Sequence, residues 1–261
     1  MESENSTDLS FKVFLKNFTT EAFHIDGRII RTTCALIVKP GYLTLAYFNN
    51  STKKYIQPLK LYFAINLLFF LLIPLLTTSQ FKVFNISMKS LTGSNQIYQE
   101  MIKNQIQAKD VSEVIYEERF NAHLKYNQPA LVFIIIPFFA LVLKIVNFKS
   151  KRYYVEHLFF SIHFLSTFLL FLLIIISLYR FLTFGLKFFS ISIGVVALII
   201  LAIFVILLAI YLMVAIKKYY KNRTLLSTFK SIILLTSFLL IFGGYTQFLF
   251  FYTILALKWG Y

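Results

Sequence analysis

With 58% hydrophobic and only 14% charged residues among 261, and a mean hydropathy of +0.72, this chain is not an ordinary water-soluble domain, which carries about 25% charged residues. The net charge of +15 does not point to nucleic acid. Binders of nucleic acid gather Lys and Arg on one polar domain, whereas here they flank long apolar stretches, where they set membrane orientation and meet anionic headgroups.

In chain order, the opening MESENSTDLS is acidic and polar without an apolar core, so no cleavable signal peptide is expected. Phe11, Phe14, Leu15, Phe18 and Ala22 then recur at helical spacing with Lys12 and Lys16 between them. Such a basic, aromatic-faced helix lies in the membrane interface or packs on cytoplasmic loops. Residues 29–38 are largely apolar but about half the length of a span, Pro40-Gly41 breaks the chain, and a short helix resumes over 42–48. Residues 1–58 are therefore expected to form a cytoplasmic, membrane-hugging region of amphipathic helices.

A membrane helix needs about 20 apolar residues, and five segments supply them. The first is 59–78, with Asn66 and Pro74 inside it. The polar segment 79–128 follows, with Ile97, Met101, Ile102, Ile106, Val111, Val114 and Ile115 at helical intervals, and is expected to be a periplasmic loop with amphipathic helices. The remaining spans are 129–148, with a kink expected at Pro137, 155–178, 189–216 and 231–257. Between Phe189 and Ile216 there is no charged residue at all. The last two spans exceed the bilayer thickness and must tilt, kink or project. Gly243-Gly244 is the expected place for a kink or a close helix approach. No inverted repeat of the transporter kind is present. The fold class is all-α, a polytopic transmembrane bundle of about five spans.

Lys and Arg distribution sets the orientation. With a cytoplasmic N-terminus, seventeen of the 26 fall inside and nine outside. The short KSKR and KKYYKNR turns decide it, because both land inside. The expected location is a bacterial inner membrane, N-terminus in and C-terminus periplasmic.

Catalytic motifs, phosphate loops and metal-ligand sets are not found in the sequence. Cys34 is the single cysteine, which excludes an intrachain disulfide and a multi-cysteine zinc site. No cofactor or metal is expected. Ionisable groups inside membranes are costly and so mark candidate sites. The third span opens KRYYVEHLFFSIHF. Glu156 and His163, two helical turns apart, share one face, and His163 lies about 9 Å deeper than His157. Counted from their helix ends, Asn66 and Lys144 fall at similar depth, which gives a candidate polar cluster of Asn66, Lys144, Glu156, His157 and His163. In this cluster Glu156 is the expected counter-charge of Lys144, and Asn66 the expected partner of His163. The competing reading makes Lys144 a snorkelling side chain, Glu156 and His157 interfacial groups, and His163 a helix-to-helix hydrogen bond. His157 and His163, six apart, do not share a face and cannot chelate zinc as an i, i+4 pair does.

The stretches DGRIIRTTCALIVKPGYLTLAYFNNSTKKYIQPLKLYF, YYVEHLFFSIHF and YLMVAIKKYYKNRTLLSTFK resemble a bacterial family known only as a domain of unknown function. Its members are multi-pass inner-membrane proteins, frequent in Bacteroidota, and many carry a four-cysteine, zinc-ribbon-like head. That head is not found here, so a zinc-dependent role does not carry over. Asn50-Ser51-Thr52 stand where the family has Gly-Lys-Arg, while Tyr55 and Pro58 are kept. The resemblance implies a helical membrane protein and supplies no activity. The function expected is therefore that of a non-enzymatic scaffold, sensor or transport component, partnered by the lipid bilayer and other envelope proteins and not by nucleic acid. The alternative is an intramembrane enzyme or a proton-coupled transporter using the Glu156/His163 face. The topology has a direct check. In a chain with Cys34→Ala, cysteines introduced by Asn95→Cys and Asn222→Cys should react with an impermeant maleimide from opposite sides of intact cells. Equal labelling of both from outside contradicts it.

Overall fold

The computed structural model describes residues 27–49, 54–76, 88–93, 95–185 and 193–259. The amphipathic helix expected over 9–26 lies outside them. Among the described residues the chain is all helical: α1 (Gly27–Val38), α2 (Tyr42–Phe48), α3 (Pro58–Leu76), α4 (Met88–Thr92), α5 (Gln96–Lys109), α6 (Glu113–Leu131), a 3-10 turn (Val132–Ile134), α7 (Ile135–Val146), α8 (Tyr154–Gly185), α9 (Ile193–Tyr220) and α10 (Thr224–Lys258). Five helices are long and apolar enough to cross a membrane: α3, α6 continued into α7, α8, α9 and α10. The chain is a multi-pass membrane protein. Its outer surface fits that solvent, because Leu71, Leu198, Leu207 and Leu240 are all exposed and need hydrocarbon around them.

Helix α8 is the axis of the bundle. Of its most apolar window 72% is buried, against 28% for α3, α9 and α10. A helix enclosed this fully is apolar all round, and the hydroxyls it carries must bond within the helix. Ser161, Ser166 and Thr167 accordingly donate to the carbonyls of His157, Ile162 and His163. Aromatic packing joins three helices around Phe238 of α10, whose ring centroid lies 5.4 Å from Phe139, 5.0 Å from Phe164 and 4.9 Å from Phe168.

The helices do not share a common starting plane. Helix α3 runs alongside α8, with Leu76 at its far end accepting a hydrogen bond from Arg180 Nη1 at 2.9 Å. At its near end Pro58 lines a small cavity together with His163. Tyr154, where α8 begins, lies nine residues before His163, about 14 Å along the axis. The space beside that first part of α8 is filled by α1 and α2. Thr32, Ala35 and Leu36 form the buried face of α1, and Leu43, Thr44 and Ala46 that of α2. Between the two helices Gly41 has φ +72, and a Cβ there would sit 2.7 Å from the Ala215 carbonyl oxygen on α9. The turn after Pro40 thus presses its backbone onto α9, and only glycine fits. Residues 54–57 close the unit, as the Ile56 N–H donates to Thr32 Oγ1 at 3.1 Å.

Two helices run beyond the apolar segments that mark them. The helix carrying the second span begins at Glu113, well before Pro129, and continues to Val146 with only the 3-10 turn interrupting it. Side chains of neighbouring helices reach carbonyls in this stretch: Asn66 Nδ2 donates to that of Pro129 at 2.8 Å and Tyr154 Oη to that of Pro137 at 3.0 Å. The first half of α6 and the end of α10 project together and carry α5, with Tyr98 packed on Phe250 at 4.4 Å and bonded to Gln247, and Lys109 bonded to the Leu257 carbonyl. Helix α10 passes through Gly243-Gly244 without a break, and a Cβ on either would meet nothing within 4 Å. The close approach expected there is not made among the described residues.

Gly41→Ala should cost about 2 kcal/mol or more, from the left-handed backbone and the backbone clash together. Its thermal midpoint in detergent should fall by several degrees, while Gly243→Ala, with open space around it, should leave the midpoint unchanged or raised.

Candidate functional site

The five polar residues picked out by the sequence resolve into separate environments. Glu156 and His157 belong to a hub at the start of α8. Glu156 is the third residue of the helix, where a carboxylate can reach back to the first free backbone donor. Its Oε1 accepts from the Tyr153 N–H at 3.1 Å, and its Oε2 accepts from Arg152 Nη1 at 2.5 Å and from Tyr219 Oη at 3.1 Å. Arg152 also donates to the Tyr219 carbonyl at 2.8 Å and lies 4.0 Å from that ring's centroid. The same guanidinium therefore pairs with the α8 carboxylate, closes the end of α9 and stacks on its tyrosine. His157 Nδ1 lies 2.7 Å from Tyr220 Oη, with the two rings nearly parallel at 19°.

Lys144 is exposed, and the ion-pair partner of Glu156 is Arg152 rather than Lys144. Arg152 wins because it stands four residues before Glu156 and is already held over Tyr219, whereas Lys144 would give up contact with solvent and headgroups to turn inward.

His163 sits deeper and makes a different contact. It is 5% exposed, and its Nδ1 lies 2.8 Å from Thr44 Oγ1 on α2. Next to it Tyr211 Oη donates to the Leu36 carbonyl of α1 at 3.0 Å and lies 2.9 Å from Thr167 Oγ1. Thr44, His163, Thr167 and Tyr211, with the Leu36 carbonyl, thus join four helices, and two of the three contacts hold the α1–α2 hairpin. The imidazole borders one cavity of about 20 Å³ with Tyr55, Gln57 and Pro58, and another of about 10 Å³ with Gly41, Phe160 and Ala215. Each has room for one water and none for an organic substrate.

Asn66 is not the partner of His163. Because α3 starts level with His163, Asn66 lies eight residues further along, about 12 Å deeper, where its amide serves Pro129. Its Oδ1 and the hydroxyl of Tyr62, one turn earlier, are buried with no partner among the described residues. Sequence reading passed over Arg152, Tyr219, Tyr220, Thr44 and Tyr211. The repeated basic-tyrosine pattern, KRYY at 151–154 and KKYY at 217–220, is a signal for the first three. Thr44 and Tyr211 leave none, since a lone Thr or Tyr in an apolar stretch reads as packing. No group of three His, Cys, Asp or Glu side chains among the described residues is placed to hold a metal ion.

Residues 26–70 match the family model described as a protein of unknown function (DUF3667). That segment spans α1, α2 and most of α3, and the match supports the resemblance to an uncharacterised domain-of-unknown-function family over it. No curated protein and no solved structure matches the chain.

The His163–Thr44 contact can be weighed by a double-mutant cycle. His163→Ala and Thr44→Val should each destabilise the protein in denaturant titration. Together they should cost about 1 kcal/mol less than the sum, the size of one buried hydrogen bond. Additive losses would mean the two side chains are merely neighbours.

Proposed function

We propose that this chain is a non-catalytic integral membrane protein, a scaffold or sensor that holds two ends in a fixed relation across a bacterial inner membrane of the Bacteroidota type. On this reading the basic end carrying the α1–α2 hairpin faces the cytoplasm. The projecting end, where α5 and α6 pack on the last turns of α10, faces the periplasm and meets other envelope proteins. The observation that supports it is the use made of each candidate acid and base. Glu156 is bonded to Arg152, Tyr219 and the Tyr153 N–H, and His157 to Tyr220. His163 is bonded to Thr44 beside cavities of about 20 and 10 Å³. A catalytic base must reach the proton it abstracts in a substrate pose, and among the described residues these side chains meet protein groups and single-water spaces.

The second reading, proton-coupled transport, draws on the same neighbourhood. His163, Thr44, Thr167 and Tyr211 form a polar group inside the bundle, and intramembrane ionisable residues are the ordinary material of proton relays. Proteoliposomes loaded with a pH-sensitive dye separate the two. Under an imposed pH gradient the scaffold reading expects the decay rate of protein-free vesicles, the same for wild type and His163→Ala. A faster decay that His163→Ala abolishes would overturn it in favour of transport.

A further inference from the structure

Acidic residues are absent from 27–99, and after Glu118 the chain holds only Glu156, which Arg152 occupies. Among the described residues the basic end of the bundle therefore holds many more cations than carboxylates, and at one place its cations are organised. Tyr42 of α2 and Tyr55 pack edge to face, their centroids 6.0 Å apart at 81°. Lys39 Nζ lies 5.6 Å and Lys218 Nζ 5.0 Å from the Tyr42 centroid, and Lys54 Nζ lies 5.9 Å from that of Tyr55. Burial and the Tyr42 phenol raise the pKa of the Tyr55 hydroxyl against the opposing pull of the Arg31 charge, whose guanidinium on α1 is within electrostatic reach of it.

Three lysines thus face the two phenols from the Pro40-Gly41 turn, the segment before α3 and the end of α9, with the charge of Arg31 on α1 near them. Among the described residues no carboxylate pairs with any of the four. A ring quadrupole attracts a cation without neutralising it. Four like charges held around one aromatic pair repel one another and raise the local demand for an anion.

The anion's nature follows from where the cluster sits. Tyrosine and lysine together at the ends of apolar helices mark the membrane–water boundary. The cluster lies at that end of α9, next to Lys217. The adjoining surface is apolar, with Ile30, Val38 and Leu59 exposed and suited to acyl chains rather than water. We propose that Arg31, Lys39, Lys54 and Lys218, set around Tyr42 and Tyr55, form a binding site for the phosphate headgroup of an anionic phospholipid, whose acyl chains lie along α1 and α3. This site deepens the scaffold reading and rests on its orientation, with the basic end facing the leaflet that carries anionic lipid. It would give the α1–α2 hairpin a lipid-dependent anchor in addition to Thr44–His163.

The test uses the full chain reconstituted in vesicles of phosphatidylcholine with a minority of phosphatidylglycerol. The protein is then released and its retained lipids counted by native mass spectrometry. Wild type should retain phosphatidylglycerol well above its bulk fraction. The triple variant Arg31→Gln/Lys54→Gln/Lys218→Gln should lose about fivefold of that enrichment per cation removed, the pull of one basic side chain on an anionic surface. The charge-conserving variant Arg31→Lys/Lys54→Arg/Lys218→Arg should keep the enrichment, which guards against a simple folding defect. A second triple variant, Lys149→Gln/Lys151→Gln/Arg223→Gln, should also keep it. Equal enrichment in wild type and the first variant overturns the proposal and leaves the chain's own acidic residues before 27 as the counter-charge. Equal loss in the second variant overturns it in favour of unspecific charge. Displacement of the lipid by added inorganic phosphate overturns the lipid assignment. None of these outcomes depends on the proton-flux measurement, so the site and the scaffold reading can fail separately.

Discussion

A backbone carbonyl or N–H buried away from water must find its partner inside the protein, and this constraint bears hardest on the α1–α2 hairpin. Neither helix is long enough to cross a bilayer, so together they form a turn, and a turn leaves helix ends with free polar groups. The fold answers with side chains from elsewhere. Tyr211 reaches across from α9 to the Leu36 carbonyl, Thr32 takes up the Ile56 N–H, and His163 meets Thr44. Gly41 allows the turn to lie directly on the α9 backbone. With the hairpin in place, α3 can begin level with His163 instead of level with Tyr154, and the order of contacts along α8 follows from that offset.

The same economy runs through the polar groups of the bundle among the described residues. Most of the polar side chains that enter the bundle close a gap in a helix or join one helix to the next. Asn66 and Tyr154 donate to the carbonyls of Pro129 and Pro137 on the neighbouring helix. Lys230 crosses from α10 to Asn147 Oδ1 at 2.8 Å, and Arg180 caps α3. Arg152 has three partners on two helices at once. Groups with this many obligations are poorly placed to trade a proton or bind a substrate, because moving any of them exposes an unpaired partner.

Much of the architecture was legible in the sequence, for physical reasons. Twenty apolar residues in a row have few alternatives to a membrane helix, and the five segments all contain one. The short apolar piece before Pro40-Gly41 and the helix after it were also visible, because proline and glycine interrupt a pattern that would otherwise continue. What could not be read was register. Counting residues from each helix start assumes that the starts are level, and on that assumption Asn66 falls beside His163. The hairpin shifts α3 along α8, so Asn66 meets Pro129. The sequence shows Glu156 as a carboxylate at the start of the third span and loop geometry points it to Lys144, but Arg152, four positions away and stacked on Tyr219, is better placed. Thr44 could not be found at all, since its role exists only once α2 and α8 are side by side.

The hairpin's sequence separations carry a consequence for biogenesis. Thr44 is 119 residues from His163, and Leu36 is 175 residues from Tyr211. At synthesis rates of about 5–20 residues per second, the tyrosine that satisfies Leu36 emerges roughly 10 to 35 s after the carbonyl it serves. Until then the hairpin has no place inside the bundle and must wait at the membrane surface, where water supplies its hydrogen bonds. Among the first segments made, it is the last to dock, and the bundle closes only when α9 arrives.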